Sequence, residues 1–310
     1  MSVRHTDHNH KHLMTKQTLR LAFFLTLLVV IAQGVGAVLA NSLALLSDAG
    51  HALIDIFALG LAWFAASQSE RPADAKKTFG YHRLGILAAL ANAITLIFLA
   101  CFILVEAVQR FQHPEPVQPL YMLASAGIGV AANLLIGFAL QKEGGDLNVK
   151  AATLHAFGDA GASIGVIAAG LLILFTKLAV ADPLLSVGIA GLIALWALRI
   201  IRETIDILLE SVPKGIDMEA LVQDMRCVKG VQEVHNLHVW CIASDVYALS
   251  CHALIPDLLT SDSTAILRTL EKMLSEKYHI GHTTVQFEYY ISPDNCSVHG
   301  LYCQIRDCGE

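Results

Sequence analysis

The chain has 310 residues, of which 55% are hydrophobic and only 15% charged, and its formal net charge is −6. Soluble domains carry about 25% charged residues, so this composition disfavours a soluble enzyme or a disordered chain, and an acidic balance gives a nucleic acid nothing to bind. The charge is also unevenly placed: residues 17–210 hold 24 of the 48 charged side chains and the last hundred residues hold 20. The first stretch reads as embedded in a lipid bilayer and the second as an ordinary soluble domain.

Residues 1–16 form a polar tail bearing His5, His8, His10 and His12. The tail reads as a flexible imidazole cluster that either scavenges metal or modulates transport, or else has unspecific metal affinity and no role. Six apolar runs follow, near 19–39, 43–67, 84–108, 119–141, 150–176 and 184–208, separated by polar or proline-bearing breaks. Each is long enough to cross a bilayer as a helix, which satisfies its own backbone groups there. The first run resembles a secretory signal in its basic flank and in Val38-Leu39-Ala40, but it is longer than a signal core and five more runs follow it. Lys and Arg cluster before the first run, between the second and third, between the fourth and fifth, and at the end of the sixth; the other side holds Arg110 and Lys177. By the positive-inside rule both termini are cytoplasmic. The predicted organisation is a cytoplasmic His-rich tail (1–16), a six-helix transmembrane domain (17–211), a cytoplasmic α+β domain (212–291) and a Cys-containing tail (292–310).

Beyond Pro213 the pattern changes. Asp217 to Cys227 reads as a short helix, Val231 to Ile242 and Val246 to Ile255 as strands, Ser261 to Tyr278 as a helix capped by Ser261 or Asp262, and His282 to Ile291 as a third strand. The order α-β-β-α-β predicts a small open α+β sandwich. Seven cysteines are an odd number, and six of them lie in the part assigned to the reducing cytoplasm. They read as thiols or metal ligands rather than disulfides.

The chemistry lies inside the runs. The second run contains His51-Ala-Leu-Ile-Asp55 and the fifth contains His155-Ala-Phe-Gly-Asp159. In a helix, residues i and i+4 share one face, one turn apart. Two such faces turned toward each other offer two imidazole nitrogens and two carboxylates, a set suited to tetrahedral Zn²⁺. A carboxylate at mid-membrane costs roughly 2.5–3.5 kcal/mol, so two of them call for a compensating partner. A divalent cation is one, and protons can replace it because histidine titrates near neutrality. One His-Asp pair alone is as well explained as glue between helices; the same pair on two separate runs favours the cation. Asp48 reads as a supporting or helix-end residue, and Gln33, Asn92 and Asn133 as packing or cavity groups.

Leu43 to Asp55, Asp146 to Asp159, Phe79-Gly80-Tyr81-His82-Arg83 and His235-Asn-Leu-His-Val-Trp240 together resemble the cation diffusion facilitators, and the resemblance to their zinc-exporting branch covers nearly the whole chain. It implies a homodimer with cytoplasmic domains of metallochaperone-like fold in a bacterial inner membrane. It implies proton-coupled export of Zn²⁺ by alternating access, with the transport site at His51, Asp55, His155 and Asp159. Cd²⁺ or Co²⁺ as the main substrate remains an alternative, since the same ligands accept them.

The resemblance also implies sites outside the membrane. Asp74 and His82 stand in the loop where relatives bind a second metal, although Lys77 and Tyr81 occupy places where histidines would stand. Arg83 and Glu210 match a charge interlock near the dimer interface. On the cytoplasmic domain His235, His252 and Glu288 match a regulatory metal site, which Cys296, Cys303 and Cys308 could complete; Gln286 stands where some members have a further histidine. On a regular strand His235 and His238 face opposite sides, so only one of them joins a given site. Two rivals come from other classes. An intramembrane metal hydrolase would carry a His-Glu-x-x-His helix, absent here, and an open ligand position. A membrane-anchored metal sensor would not require ligands on two different runs.

Overall fold

The structure is a computed structural model in which residues 5–69, 71–143, 147–243 and 246–289 are described. Cys296, Cys303 and Cys308 lie outside the described residues. The chain forms two compact units, residues 1–64 with 88–201, and residues 65–87 with the chain from 202 onward.

Six helices account for the apolar runs: α1 (His5–Ala40), α2 (Leu43–Ser69), α3 (Leu84–Gln112), α4 (Pro119–Glu143), α5 (Leu147–Thr176) and α6 (Ala181–Leu208). Each contains a stretch long and apolar enough to span a bilayer. The expectation of a flexible N-terminal tail needs correction, because α1 already begins at His5. His5 to Lys16 contains neither proline nor glycine, so nothing interrupts backbone hydrogen bonding ahead of the apolar run. The turn from α1 to α2 is made by Asn41 at φ 50°, a left-handed conformation that asparagine tolerates better than most residues.

Inside the first unit α5 packs on α4 and α4 on α1. The contacts are made largely by small residues, which let helices approach where the hydrophobic effect offers no drive. One cluster joins Ala37 and Ala40 of α1, Ala44 of α2, Ala126 of α4 and Ala169 of α5. Another joins Ala93, Ala100 and Ala107 of α3 to Ala190 and Ala197 of α6, a seven-residue spacing that keeps one seam of each helix facing the other. At Gly36 a Cβ would lie 1.8 Å from Ser125 Oγ and 2.4 Å from its Cβ, so only glycine allows α1 to meet α4 there.

In the second unit, α7 (Met218–Arg226), β1 (Glu233–Ala243), β2 (Val246–Leu254), α8 (Thr260–Tyr278) and β3 (Ile280–Glu288) build the α-β-β-α-β order. The sheet runs β1-β2-β3, with β1 antiparallel to β2 and β3 parallel to β2 across the α8 connection. Leu221 and Met225 of α7 and Ile266, Leu270 and Leu274 of α8 pack with Val234, Leu237, Val239, Leu249 and Cys251 on one face of the sheet. Polar residues are thereby left to the other face. Asp224 accepts hydrogen bonds from Lys277 and Tyr278 and ties α7 to α8; Lys277 first and then Tyr278 hold its carboxyl below the usual range. Burial pushes the Cys251 thiol up to about 12, so it behaves as an inert core group.

Asp217 caps α7, accepting from the backbone N–H of Glu219 at 2.9 Å and of Ala220 at 3.2 Å. Asp217→Ala is expected to cost about 1 kcal/mol, measurable as a lowered denaturation midpoint of Trp240 fluorescence in a variant with Trp63 and Trp196 replaced by Phe. The cap expected at Ser261 or Asp262 is not formed. α8 starts at Thr260 after Leu259, which has no side-chain capping bond, and the hydroxyls of Ser263 and Thr264 turn back to the Thr260 carbonyl.

Candidate functional site

α2 and α5 run antiparallel past each other, and the two His-Asp faces meet. Asp55 is the hub: its Oδ2 lies 3.5 Å from His51 Nε2 on its own helix and 3.1 Å from His155 Nε2 on α5. His155 Nε2 is in turn 3.6 Å from Asp159 Oδ2. The two imidazole rings approach edge-on with centroids 6.0 Å apart. Donor atoms of His51, Asp55 and His155 all lie within 4.8 Å of one another, and Asp159 adjoins this group through His155; two donors around a tetrahedral Zn²⁺ with bonds of 2.0–2.1 Å stand about 3.4 Å apart, so a bound ion would draw the four closer. The i, i+4 spacing alone accounts for each pair. The pairing of α2 with α5 is a tertiary fact.

One turn toward the N-terminal end of α2, a second polar group joins three helices. Asp48 Oδ2 accepts from Gln33 Nε2 of α1 at 2.7 Å and from Ser163 Oγ of α5 at 2.8 Å. Gln33 Nε2 also reaches Ser163 Oγ at 3.2 Å. All three side chains are buried, with Gln33 1%, Asp48 6% and Ser163 0% exposed. Sequence reasoning assigned Gln33 to packing and overlooked Ser163. A buried glutamine, aspartate and serine at compatible depths on three spans was the available signal.

Another charged network lies where α1, α3 and α6 end or begin. Arg110 donates to the Asn41 carbonyl at 2.6 Å and to Asn41 Oδ1 at 3.1 Å, and pairs with Glu106 at 3.3 Å and Asp182 at 3.6 Å. Asp182 is fully buried. It accepts from Ser42 Oγ at 2.5 Å and from the backbone N–H of Leu43 at 2.7 Å and Ala44 at 3.2 Å. A carboxylate from α6 thus caps the positive end of α2.

On the α-β-β-α-β unit, His235, His252 and Glu288 come together on the sheet face opposite the helices. His252 Nδ1 lies 2.8 Å and His235 Nε2 3.2 Å from the Glu288 carboxylate, and the donors of all three lie within 4.8 Å of one another. Two imidazoles and a carboxylate fit a divalent metal by donor type. Gln286 donates to Glu288 at 3.0 Å.

The placement of His238 differs from expectation. β1 pairs His235 with His252 and His238 with Ser250. His252 and Ser250 are two apart and share a face, so His235 and His238 share that face as well. The cause is a bulge between them, with Asn236 at φ 50°; the extra residue inverts the alternation. Asn236 then bridges the two histidines, lying 3.4 Å from His252 Nε2 and 3.2 Å from His238 Nε2.

Arg83 and Glu210 meet at 3.1 Å, both substantially exposed, a geometry worth at most about 1 kcal/mol. In the loop before α3, Asp74 is engaged in a turn. Its Oδ1 accepts from the N–H of Lys76 and Lys77 at 2.7 and 2.8 Å, and Tyr81 donates to Oδ2 at 2.9 Å. The Lys76 N–H first, then Tyr81, hold its carboxyl below the usual range. Among the described residues Asp74 and His82 join no group of three metal-type donors.

Comparison with known proteins matches residues 19–209 to the cation efflux transmembrane domain and residues 213–290 to the cytoplasmic domain of cation efflux proteins. The chain is 40% identical over 287 residues to the cadmium, cobalt and zinc/H(+)-K(+) antiporter of Bacillus velezensis, covering 91% of each chain. It is 39% identical over 298 residues to the zinc transporter ZitB of Pectobacterium atrosepticum, covering 94% of this chain and 92% of that one. It is 37% identical over 287 residues to the metal cation efflux system protein CzcD of Cupriavidus metallidurans, covering 91% and 89%.

Proposed function

The chain belongs to the cation efflux family, and from that footing we propose that it exports Zn²⁺ from the cytoplasm in exchange for protons. The observation that carries this reading is the convergence of two His-Asp pairs from α2 and α5 around Asp55. His51 and His155 supply nitrogen lone pairs and Asp55 and Asp159 supply negative charge, so a divalent cation neutralises carboxylates that are costly in a bilayer. Protons arriving from the far side compete for the same nitrogens and carboxylates, and this competition couples release to proton entry. Alternating exposure of one site to the two sides then gives antiport.

Both termini are cytoplasmic and the protein works in a bacterial inner membrane as a homodimer joined through its cytoplasmic domains. His235, His252 and Glu288 hold a regulatory metal there, and the Arg83–Glu210 pair acts as an interlock beside the dimer interface. The nitrogen-containing ligand set favours Zn²⁺, and the names of the relatives support Zn²⁺ while keeping Cd²⁺ and Co²⁺ in view.

The test is Zn²⁺ uptake into sealed proteoliposomes under an imposed pH gradient, with Cd²⁺ and Co²⁺ as competitors. Uptake that follows the gradient and stops when it is collapsed supports antiport. Zinc binding without uptake would leave a membrane-anchored sensor. His252→Ala is expected to lower the bound zinc per chain by one equivalent while uptake persists with altered zinc dependence.

A further inference from the structure

Two bonded rungs join α2 and α5. Asp55–His155 is bonded directly at 3.1 Å, and Asp48–Ser163 is bonded directly at 2.8 Å two turns away. Between them stand His51 and Asp159. His51 Nε2 pairs with Asp55 of its own helix at 3.5 Å and its ring faces that of His155 edge-on, and His51 Nδ1 is buried without a hydrogen-bond partner among the described residues. The cation position therefore lies next to a closed polar rung that contains no histidine.

That rung is specified from three directions. Gln33 of α1 bonds both of its members. Gly129 of α4 makes room for it: a Cβ there would lie 2.4 Å from Gln33 Nε2 and 3.0 Å from Ser163 Oγ. Four helices thus shape a polar contact sealed from solvent, where each hydrogen bond is strong because its alternative is an unsatisfied group in an apolar surround. Asp48 accepts two donors on one oxygen, from Gln33 and from Ser163.

We propose that Asp48, Ser163 and Gln33 are positioning residues that set the separation of α2 and α5 at the cation site, and so its preference for Zn²⁺ over the larger Cd²⁺. The inference rests on the reading of the His-Asp cluster as that site. Zn²⁺ forms bonds of about 2.0–2.1 Å and needs its four donors drawn close together. A brace beside the site holds the helices at the tight spacing. Loosening it costs the small ion more than the large one.

Equilibrium titration of the full-length protein in nanodiscs with Zn²⁺ and, separately, Cd²⁺ tests this. Ser163→Ala removes the rung, Asp48→Asn keeps its shape without the charge, and Gly129→Ala crowds it from α4. Ser163→Thr restores the hydroxyl. Ser163→Ala is expected to weaken Zn²⁺ binding about 10-fold with unchanged stoichiometry, to lower the Zn²⁺:Cd²⁺ affinity ratio at least about threefold, and to be rescued by Ser163→Thr; Gly129→Ala shifts the ratio the same way. An unchanged ratio in both Ser163→Ala and Gly129→Ala overturns the proposal. Loss of one metal equivalent in Asp48→Asn also overturns it, since Asp48 would then be a ligand. Asp55→Ala separates the two failures: if it abolishes binding at the site while the Ser163 and Gly129 variants match the parent, only the brace is wrong; if it too matches the parent, the site is wrong.

Discussion

Asp55→Ala is expected to bring gradient-driven Zn²⁺ uptake in proteoliposomes to background, a loss of at least about 100-fold, with Asp159→Ala severe but weaker. The order follows from geometry. Asp55 lies against both imidazoles, at 3.5 Å from His51 and 3.1 Å from His155, whereas the ion pair of Asp159 is with His155 alone among the described residues, at 3.6 Å. Removing Asp55 deletes a ligand and leaves two histidines without the carboxylate that orients them; groups that merely orient metal ligands already count for 10–100-fold in affinity. Zinc binding measured on the same preparations separates lost affinity from lost motion. Uptake at the parental rate in both variants would remove the His-Asp cluster from the pathway. An aspartate serving only as glue between helices would lower the yield of folded protein and leave the folded fraction active.

Arg110→Ala is the largest expected change in stability. Asp182 is fully buried and has Arg110 as its basic neighbour at 3.6 Å. Removing one partner of a buried pair costs about 3–5 kcal/mol, because the other charge stays behind without compensation. The same substitution deletes two hydrogen bonds to Asn41, which holds the left-handed turn between α1 and α2. Thermal unfolding in detergent is expected to shift down by roughly 10 °C. Asp182→Asn in the Arg110→Ala background recovers part of the loss, since it removes the uncompensated charge and keeps one oxygen for one of the Leu43 and Ala44 N–H groups, which bond different oxygens of Asp182. No recovery would place the effect in the Asn41 turn instead.

The resemblance quoted from motifs pointed to a cation efflux protein, and the matches over both halves of the chain agree. Six apolar runs and the α-β-β-α-β order were readable residue by residue, because bilayer thickness fixes a span's length and helix and strand periods fix which side chains share a face. The same local rule placed His51 with Asp55 and His155 with Asp159.

What lay beyond the sequence depends on contacts between distant segments or on one change of period. His235 and His238 read as facing apart until the bulge at Asn236 put them on one face. The start of α8 fell at Thr260, ahead of both expected caps, and Leu259 before it makes no side-chain capping bond. Arg110 counted as one of two basic residues on its side of the membrane, and the fold commits it to Asn41, Glu106 and Asp182. Asp48, Gln33 and Ser163 lie up to 130 positions apart, and no local period relates them. By itself the sequence determined the number of spans, the order of the soluble elements and the two His-Asp faces, all consequences of spacing along one helix or strand. Which faces meet, and which buried polar groups hold them at that distance, was decided only by the tertiary structure, since side chains in an apolar surround take whatever partner the packing brings within hydrogen-bond reach.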